Sequence, residues 1–196
     1  MENVIKFIDR CFILLRIIFI WPIFGGQTKK IINCDLQAYD DSNKSFICKL
    51  CVVLEKFKCF KNIVFFRLKK KHFCFAILFR LLFGFKKDLE ISGDIGPGFA
   101  VFHGHGSVVY LKRAGKNLHI WQGVTIGRNP KPTIKDDIPV LGDNVSVYTN
   151  AIVVGNIKIG NNVSISAGAF VNFDVPDNSY VFGNPGKIYI KKINEK

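Results

Sequence analysis

Residues 141–175 read LGDNVSVYTNAIVVGNIKIGNNVSISAGAFVNFDV, and every sixth position in this stretch is aliphatic. One column runs Leu141, Val147, Val153, Ile159, Ile165, Val171, and a second runs Val145, Ala151, Ile157, Val163, Ala169, Val175. A six-residue period fits neither an α-helix, which repeats every 3.6 residues, nor simple hairpins, whose side chains alternate every two. It fits a chain wound into triangular coils, each face one hexad long, so that equivalent positions stack inside a narrow tube. Small and β-branched side chains suit that interior. Gly142-Asp143-Asn144, Gly155-Asn156 and Gly160-Asn161-Asn162 read as corners, where Gly and Asn adopt conformations that cost other residues about a kcal/mol or more.

The same period returns upstream as Val108, Ala114, Ile120, Ile126, and before a one-residue slip as Leu89, Ile95, Val101. The pattern predicts a mainly β protein whose residues 88–176 form a parallel β-helix. One interruption, Gly127 to Pro139, replaces the hexads with Arg128, Asn129, Pro130, Lys131, Pro132, Asp136 and Asp137. Such an insertion projects from the prism, and projecting loops of solenoids commonly bind ligands. Residues 177–196 read as a basic tail.

Residues 1–87 follow another grammar. The chain's formal charge of +13 comes from 28 Lys and Arg against 15 Asp and Glu. Eleven of the basic residues lie between Lys49 and Lys87, with Glu55 the only acid there. Leu50, Val53, Leu54, Phe57 and then Ile77, Leu78, Leu81, Leu82 recur at helical spacing, which predicts two or three helices over 45–85. The charge suits nucleic acid, anionic lipid or a phosphorylated small molecule. No helix-turn-helix, finger or RNA-binding signature is present, which argues against nucleic acid. Lys69-Lys70-Lys71 reads as a solvated corner, with anionic lipid as the alternative.

All six cysteines fall in this first region. Cys48 and Cys51 form one C-x-x-C without a matched second pair, so they read as buried free thiols of a reducing, cytoplasmic compartment and not as a metal site. The apolar run Phe12 to Phe24, broken by Arg16 and Pro22, is shorter than the ~18 residues a membrane span needs. Gly25-Gly26 reads as a helix stop. An amphipathic helix resting on the inner face of a membrane, or on a partner subunit, is the other reading of that run.

Four motifs carry a resemblance: Ile95-Gly96-Pro97-Gly98, Phe102-His103-Gly104-His105-Gly106, Gln122-Gly123-Val124-Thr125-Ile126-Gly127 and Gly183-Asn184-Pro185-Gly186-Lys187-Ile188. Over about residues 88–190 the chain resembles the hexapeptide-repeat acyltransferases, specifically the serine acetyltransferase branch and its relatives that O-acetylate surface polysaccharides. The resemblance implies a left-handed β-helix behind an N-terminal α-helical region, a homotrimer with active sites between prisms, acetyl-CoA as cosubstrate, and a catalytic histidine at His103. An imidazole can take the proton of a hydroxyl as the oxygen attacks a thioester. His105 is the alternative base or an acceptor-orienting group, whereas His119 beside Ile120 points outward.

An ungapped match places the carboxylate that steadies the base on Asp88, with Glu90 two residues on and on the same side of a strand. Backbone N–H groups near Gly123 are candidate oxyanion donors. The resemblance further implies that CoA runs past Ala167, Gly168 and Gly183, with Lys187, Lys191 and Lys192 near its phosphates. Two departures stand out. The serine enzymes carry an aspartate just before the histidine and an Arg-His pair at the end of the loop, where this chain has Phe102 and Asp137-Ile138. Phe102, Gln122, Asp136 and Asp137 then suit the hydroxyl of a saccharide. Serine is the alternative acceptor, and a catalytically silent trimeric scaffold the alternative of another class.

Overall fold

The computed structural model describes residues 10–17, 26–70, 72–129 and 137–191. It divides into two compact units, Met1–Lys86 and Lys87–Lys196.

In the first unit residues 10–17 are helical (α1), followed by α2 (Gly26–Gln37), α3 (Phe46–Lys56), α4 (Phe60–Lys69) and α5 (Phe73–Phe83). Three helices thus fill the stretch where two or three are expected. Ser45 caps α3 by accepting the Cys48 N–H, which satisfies one of the first-turn donors. Leu50, Val53 and Leu54 are buried, as their spacing predicts, together with Ile32, Leu36, Phe60, Ile63 and Phe79. On α5 the expectation is reversed: Ile77, Leu78 and Leu81 face outward, and Ala76, Phe79 and Phe83 are the buried side. Almost every position of that helix is apolar, so the sequence pattern does not select a face.

Gly26 opens α2 rather than ending a helix; Gly25 and the apolar run from 18 lie outside the described residues. Among the described residues no helix is long and apolar enough to cross a membrane. Two polar clasps join distant parts of this unit. Arg67 binds buried Asp35 through Nε to Oδ2 at 2.8 Å and Nη2 to Oδ1 at 3.0 Å, and Asn62 pairs with both the N–H and the carbonyl of Lys86 at 2.8 Å. Of the cysteines, Cys51 and Cys59 are buried as expected, while Cys11, Cys48 and Cys74 are exposed.

The second unit is a left-handed parallel β-helix. Its first strands are β1 (Leu89–Ile95), β2 (Ala100–Val101), β3 (Ser107–Ala114), β4 (His119–Ile120) and β5 (Thr125–Gly127). Parallel pairing stacks Ile95, Ala114, Leu141, Ile159 and Val175 on one face. Val101, Ile120, Val147, Ile165 and Val181 stack on the second, and Val109, Ile126, Val153 and Val171 on the third. Both predicted columns of residues 141–175 are buried throughout.

Upstream the register differs at one position. Val108 is 38% exposed and Val109 takes the interior place. The cause is an irregularity opposite Ser92 and Asp94: β3 alternates inward at Ser107, Val109 and Leu111, then skips so that Ala114 resumes the column. A bulge of this kind turns the following side chains over without ending the strand.

Asparagines hold one edge of the prism. Asn117, Asn144, Asn162 and Asn178 all have φ near +55°, and each amide donates to the next along the stack at 2.8–2.9 Å. Rungs lie 27 residues apart across the insertion and then 18 and 16 apart. The stretch read as a tail belongs to the solenoid: Ser179–Phe182 extends the parallel sheet, and Lys187–Ile190 folds back antiparallel on it.

Candidate active site

The loop between β2 and β3 carries both candidate histidines. His103, Gly104 and Gly106 all adopt positive φ, at 63°, 55° and 60°, so the chain turns within a few residues and leaves both imidazoles exposed. Glycine tolerates this conformation and histidine adopts it only at a cost. Among the described residues, every other non-glycine residue with positive φ is an asparagine.

Asp88 stands immediately before β1, and its Oδ2 lies 3.3 Å from His105 Nδ1. The sequence match favours Asp88 for His103. Leu89 pairs with Ser107, which brings Asp88 level with residues 105–106. A carboxylate at Nδ1 favours the tautomer with a bare Nε2 and stabilises the imidazolium. His119 is half-buried, edge-on to Phe102 with ring centroids 6.0 Å apart, and burial lowers its pKa below the ordinary 6.5.

Glu90 and Ser92 continue outward from Asp88 on the exposed side of β1, as expected. They border a groove of ≈ 450 Å³ whose other walls include Val108, Tyr110, Thr125 and Arg128. The bulge that turns Val108 outward therefore contributes a wall. Arg128 donates from Nη2 to the Tyr110 hydroxyl at 3.3 Å and lies 5.4 Å from the ring centroid. The groove thus holds a carboxylate and a guanidinium. The sequence reading missed Arg128 and Tyr110; the available signal was Arg128's place as the first side chain of the insertion.

Several expected roles change. The Gly123 N–H donates to the His105 carbonyl at 2.7 Å, so of the backbone N–H groups near Gly123 this one is committed to the fold. Gly123 has φ +67°, and a Cβ there would collide with Asn150 Oδ1. Asp137 is buried, its Oδ1 accepting the Asn156 N–H at 2.7 Å. It anchors the end of the insertion instead of facing an acceptor. Asp136 lies outside the described residues. Lys191 is also committed, its ammonium bonding the Asn162 carbonyl and Ser164 Oγ and lying over the Tyr180 ring. That corrects its expected place at a CoA phosphate. Lys187 is exposed, and Lys192 lies outside the described residues.

Other candidates stay accessible. Ala167, Gly168 and Gly183 are exposed, and a Cβ at Gly168 would meet open space. The Gln122 Oε1 is buried with no hydrogen-bond donor among the described residues. Phe102, Trp121 and Tyr148 form an outward stack up successive coils, with centroids 5.0 and 4.4 Å apart. Among the described residues no three His, Cys, Asp or Glu side chains cluster in a way that could hold a metal ion.

No family model matches the chain, but individual proteins do. A serine acetyltransferase of Bacillus pumilus is 36% identical over 132 residues, covering 64% of this chain and 60% of the relative. One from Staphylococcus xylosus is 40% identical over 123 residues, covering 61% and 56%. The crystal structure of Neisseria gonorrhoeae serine acetyltransferase superposes with a TM-score of 0.67 at 27% identity, covering 86% of this chain and 67% of that one. Over its repeat region the chain is similar to hexapeptide-repeat acyltransferases of the serine acetyltransferase branch. Soybean serine acetyltransferase complexed with serine also superposes, with a TM-score of 0.65 at 26% identity, covering 86% of this chain and 72% of that one. The chain spans between 45% and 60% of the length of the curated relatives it matches most strongly. The coil carrying His103 and the groove lined by Glu90 and Arg128 both lie within its repeat region.

Proposed function

We propose that the protein is an acetyl-CoA-dependent O-acetyltransferase of the serine acetyltransferase type, with His103 as general base. The observation that carries this reading is His103 itself. It is a histidine in a left-handed corner where this fold otherwise uses asparagine, and unfavourable backbone conformations of this kind concentrate at functional sites. His103 takes the proton from the acceptor hydroxyl as that oxygen bonds to the thioester carbonyl carbon. The C–S bond then breaks, and the CoA sulfur receives the proton back from the imidazolium. His105, held by Asp88, orients the acceptor and supports the charge that forms.

Serine is the acceptor best supported, since the relatives quoted are serine acetyltransferases and one superposes in a complex with serine. Glu90 and Arg128 in one groove offer the opposite charges that a zwitterion needs, which compensates for Phe102 and Asp137-Ile138. A saccharide hydroxyl is the second reading, favoured by the Phe102–Trp121–Tyr148 stack, because apolar sugar faces pack on aromatic rings. The enzyme acts as a homotrimer that binds CoA along Ala167, Gly168 and Gly183.

The test uses His103→Asn, which keeps a residue suited to the corner and removes the base. The expected loss in kcat is about 10²–10⁴-fold with acetyl-CoA binding retained; full turnover would refute the assignment, and loss of turnover in His105→Asn alone would move the base to His105. Acetyl-CoA consumption with L-serine against sugar acceptors decides between the two readings.

A further inference from the structure

The helical unit contains a second cavity, of ≈ 430 Å³, lined among others by Lys29 and Lys30 of α2, Asn33, Asn43, Lys44, and Lys49 of α3. Its size falls within the range of small-molecule sites, about 300–1,000 Å³. Four lysines therefore line one space. Lys49 is the unusual member, only 7% exposed, since lysine is almost never buried unless paired. Among the described residues its ammonium makes no ion pair.

The acids on the surrounding segments are mostly engaged elsewhere. Asp35 of α2 is bound by Arg67, and Glu55 of α3 by Arg10 at 2.6 Å. Asp40 lies 3.7 Å from Lys44 and also acts on Lys49 through space, one carboxylate against several lysines, and Asp41 is exposed on the turn. The positive charges exceed the negative ones at the cavity. α3 begins at this cavity with Ser45 as its cap and has no acidic residue in its first turn, so the positive end of its dipole adds to the same field. Lys29 is held toward that end, its Nζ 5.4 Å from the centroid of the Phe46 ring. Like charges brought together on a partly desolvated surface repel, and an anion among them reverses the sign of that interaction.

We propose that this cavity is a binding site for a phosphoryl group. A phosphate offers up to two negative charges and several strong acceptor oxygens, which match several ammonium groups and the amides of Asn33 and Asn43. Lysine binds phosphate as a point charge and does not need the planar geometry of arginine. The phosphoryl group belongs either to a small phosphorylated metabolite or to an anionic lipid headgroup.

The test titrates the full-length chain with inorganic pyrophosphate by calorimetry. In parallel it is sedimented with phosphatidylglycerol vesicles and with phosphatidylcholine vesicles. The expected result is salt-sensitive pyrophosphate binding that weakens by about tenfold or more in Lys49→Met and in the double variant Lys30→Gln, Lys44→Gln. The double variant changes two exposed side chains and decides the matter if Lys49→Met fails to fold. Sedimentation with phosphatidylglycerol alone, competed by pyrophosphate and lost in the same variants, supports the site and assigns the group to lipid. Absence of pyrophosphate binding at millimolar concentration without such sedimentation, or binding unchanged in the variants, overturns the proposal. Acetyl transfer in the double variant should match the parent, which keeps this result separate from the catalytic reading.

Discussion

The two units solve the same problem of burying aliphatic and aromatic side chains by opposite means. In the β-helix each coil repeats one solution, with an aliphatic side chain inside each face and an asparagine at one corner bonded to the next. In the helical unit the tertiary polar contacts are unrepeated, such as Asp35 with Arg67 and Asn62 with Lys86. Redundancy spreads the consequence of a change over neighbouring coils, whereas a unique clasp concentrates it. The difference also explains why periodicity exposed one unit and only a helix count could be read for the other.

The comparison can be broken most severely at the centre of the solenoid. Val147→Asp would place an unpaired carboxylate between Ile120 and Ile165, which sit directly above and below it. The expected loss is about 4 kcal/mol or more, read as lost hydrogen-exchange protection in both adjoining strands. Leu81→Asp, at a position 77% exposed, should change stability by less than about 0.5 kcal/mol.

Next in size is the clasp of the helical unit. Arg67→Ala leaves Asp35 buried and unpaired and should cost about 3–5 kcal/mol in chemical denaturation. Replacing both partners, with Asp35→Leu and Arg67→Met, should cost much less, because desolvation of the charges then disappears with them. Equal losses in the two experiments would show that packing and not charge holds the clasp.

A corner asparagine should matter less. Asn144→Ala removes the bonds to Asn117 and Asn162 and forces alanine to φ +55°, for about 1–3 kcal/mol. Asn144→Gly loses the bonds but not the backbone freedom, and should recover about 1 kcal/mol of that in thermal melts. Identical melts for the two would argue that the ladder, and not the corner conformation, sets the requirement.

The smallest effect concerns pH. Burial lowers the pKa of His119 below 6.5, so the unfolded chain takes up this proton first. Its contribution is present above the unfolded value and is lost as pH falls through 6.5 towards the lower folded value. Melting temperatures at pH 7.5 and 5.5 should therefore differ less in His119→Gln than in the parent.

Much of this could be read before any coordinates. The paired columns from Leu141 to Val175 specify the solenoid, and the asparagines mark its edge. The site was legible in its parts and not in its pairings. His103 and Asp88 were found by motif, while the contact of Asp88 with His105 came only from the structure. Among the N–H groups near Gly123, that of Gly123 itself is used by the fold; Arg128 was marked only as the first side chain of the insertion, and nothing in the immediate sequence of Tyr110 separates it from an ordinary strand. On α5, nearly uniform hydrophobicity erased the periodic signal that would have identified the buried side.

By itself the amino-acid order determined the winding of residues 89–175, because a six-residue period and left-handed corners are properties of neighbouring residues along the chain. Only the tertiary structure decided which side chains face one another across coils and helices: His105 beside Asp88, Val108 outside, Glu90 with Arg128, four lysines around one cavity. Those neighbours depend on a bulge, an insertion and the packing of helices, and a one-residue difference in any of them changes every partner that follows.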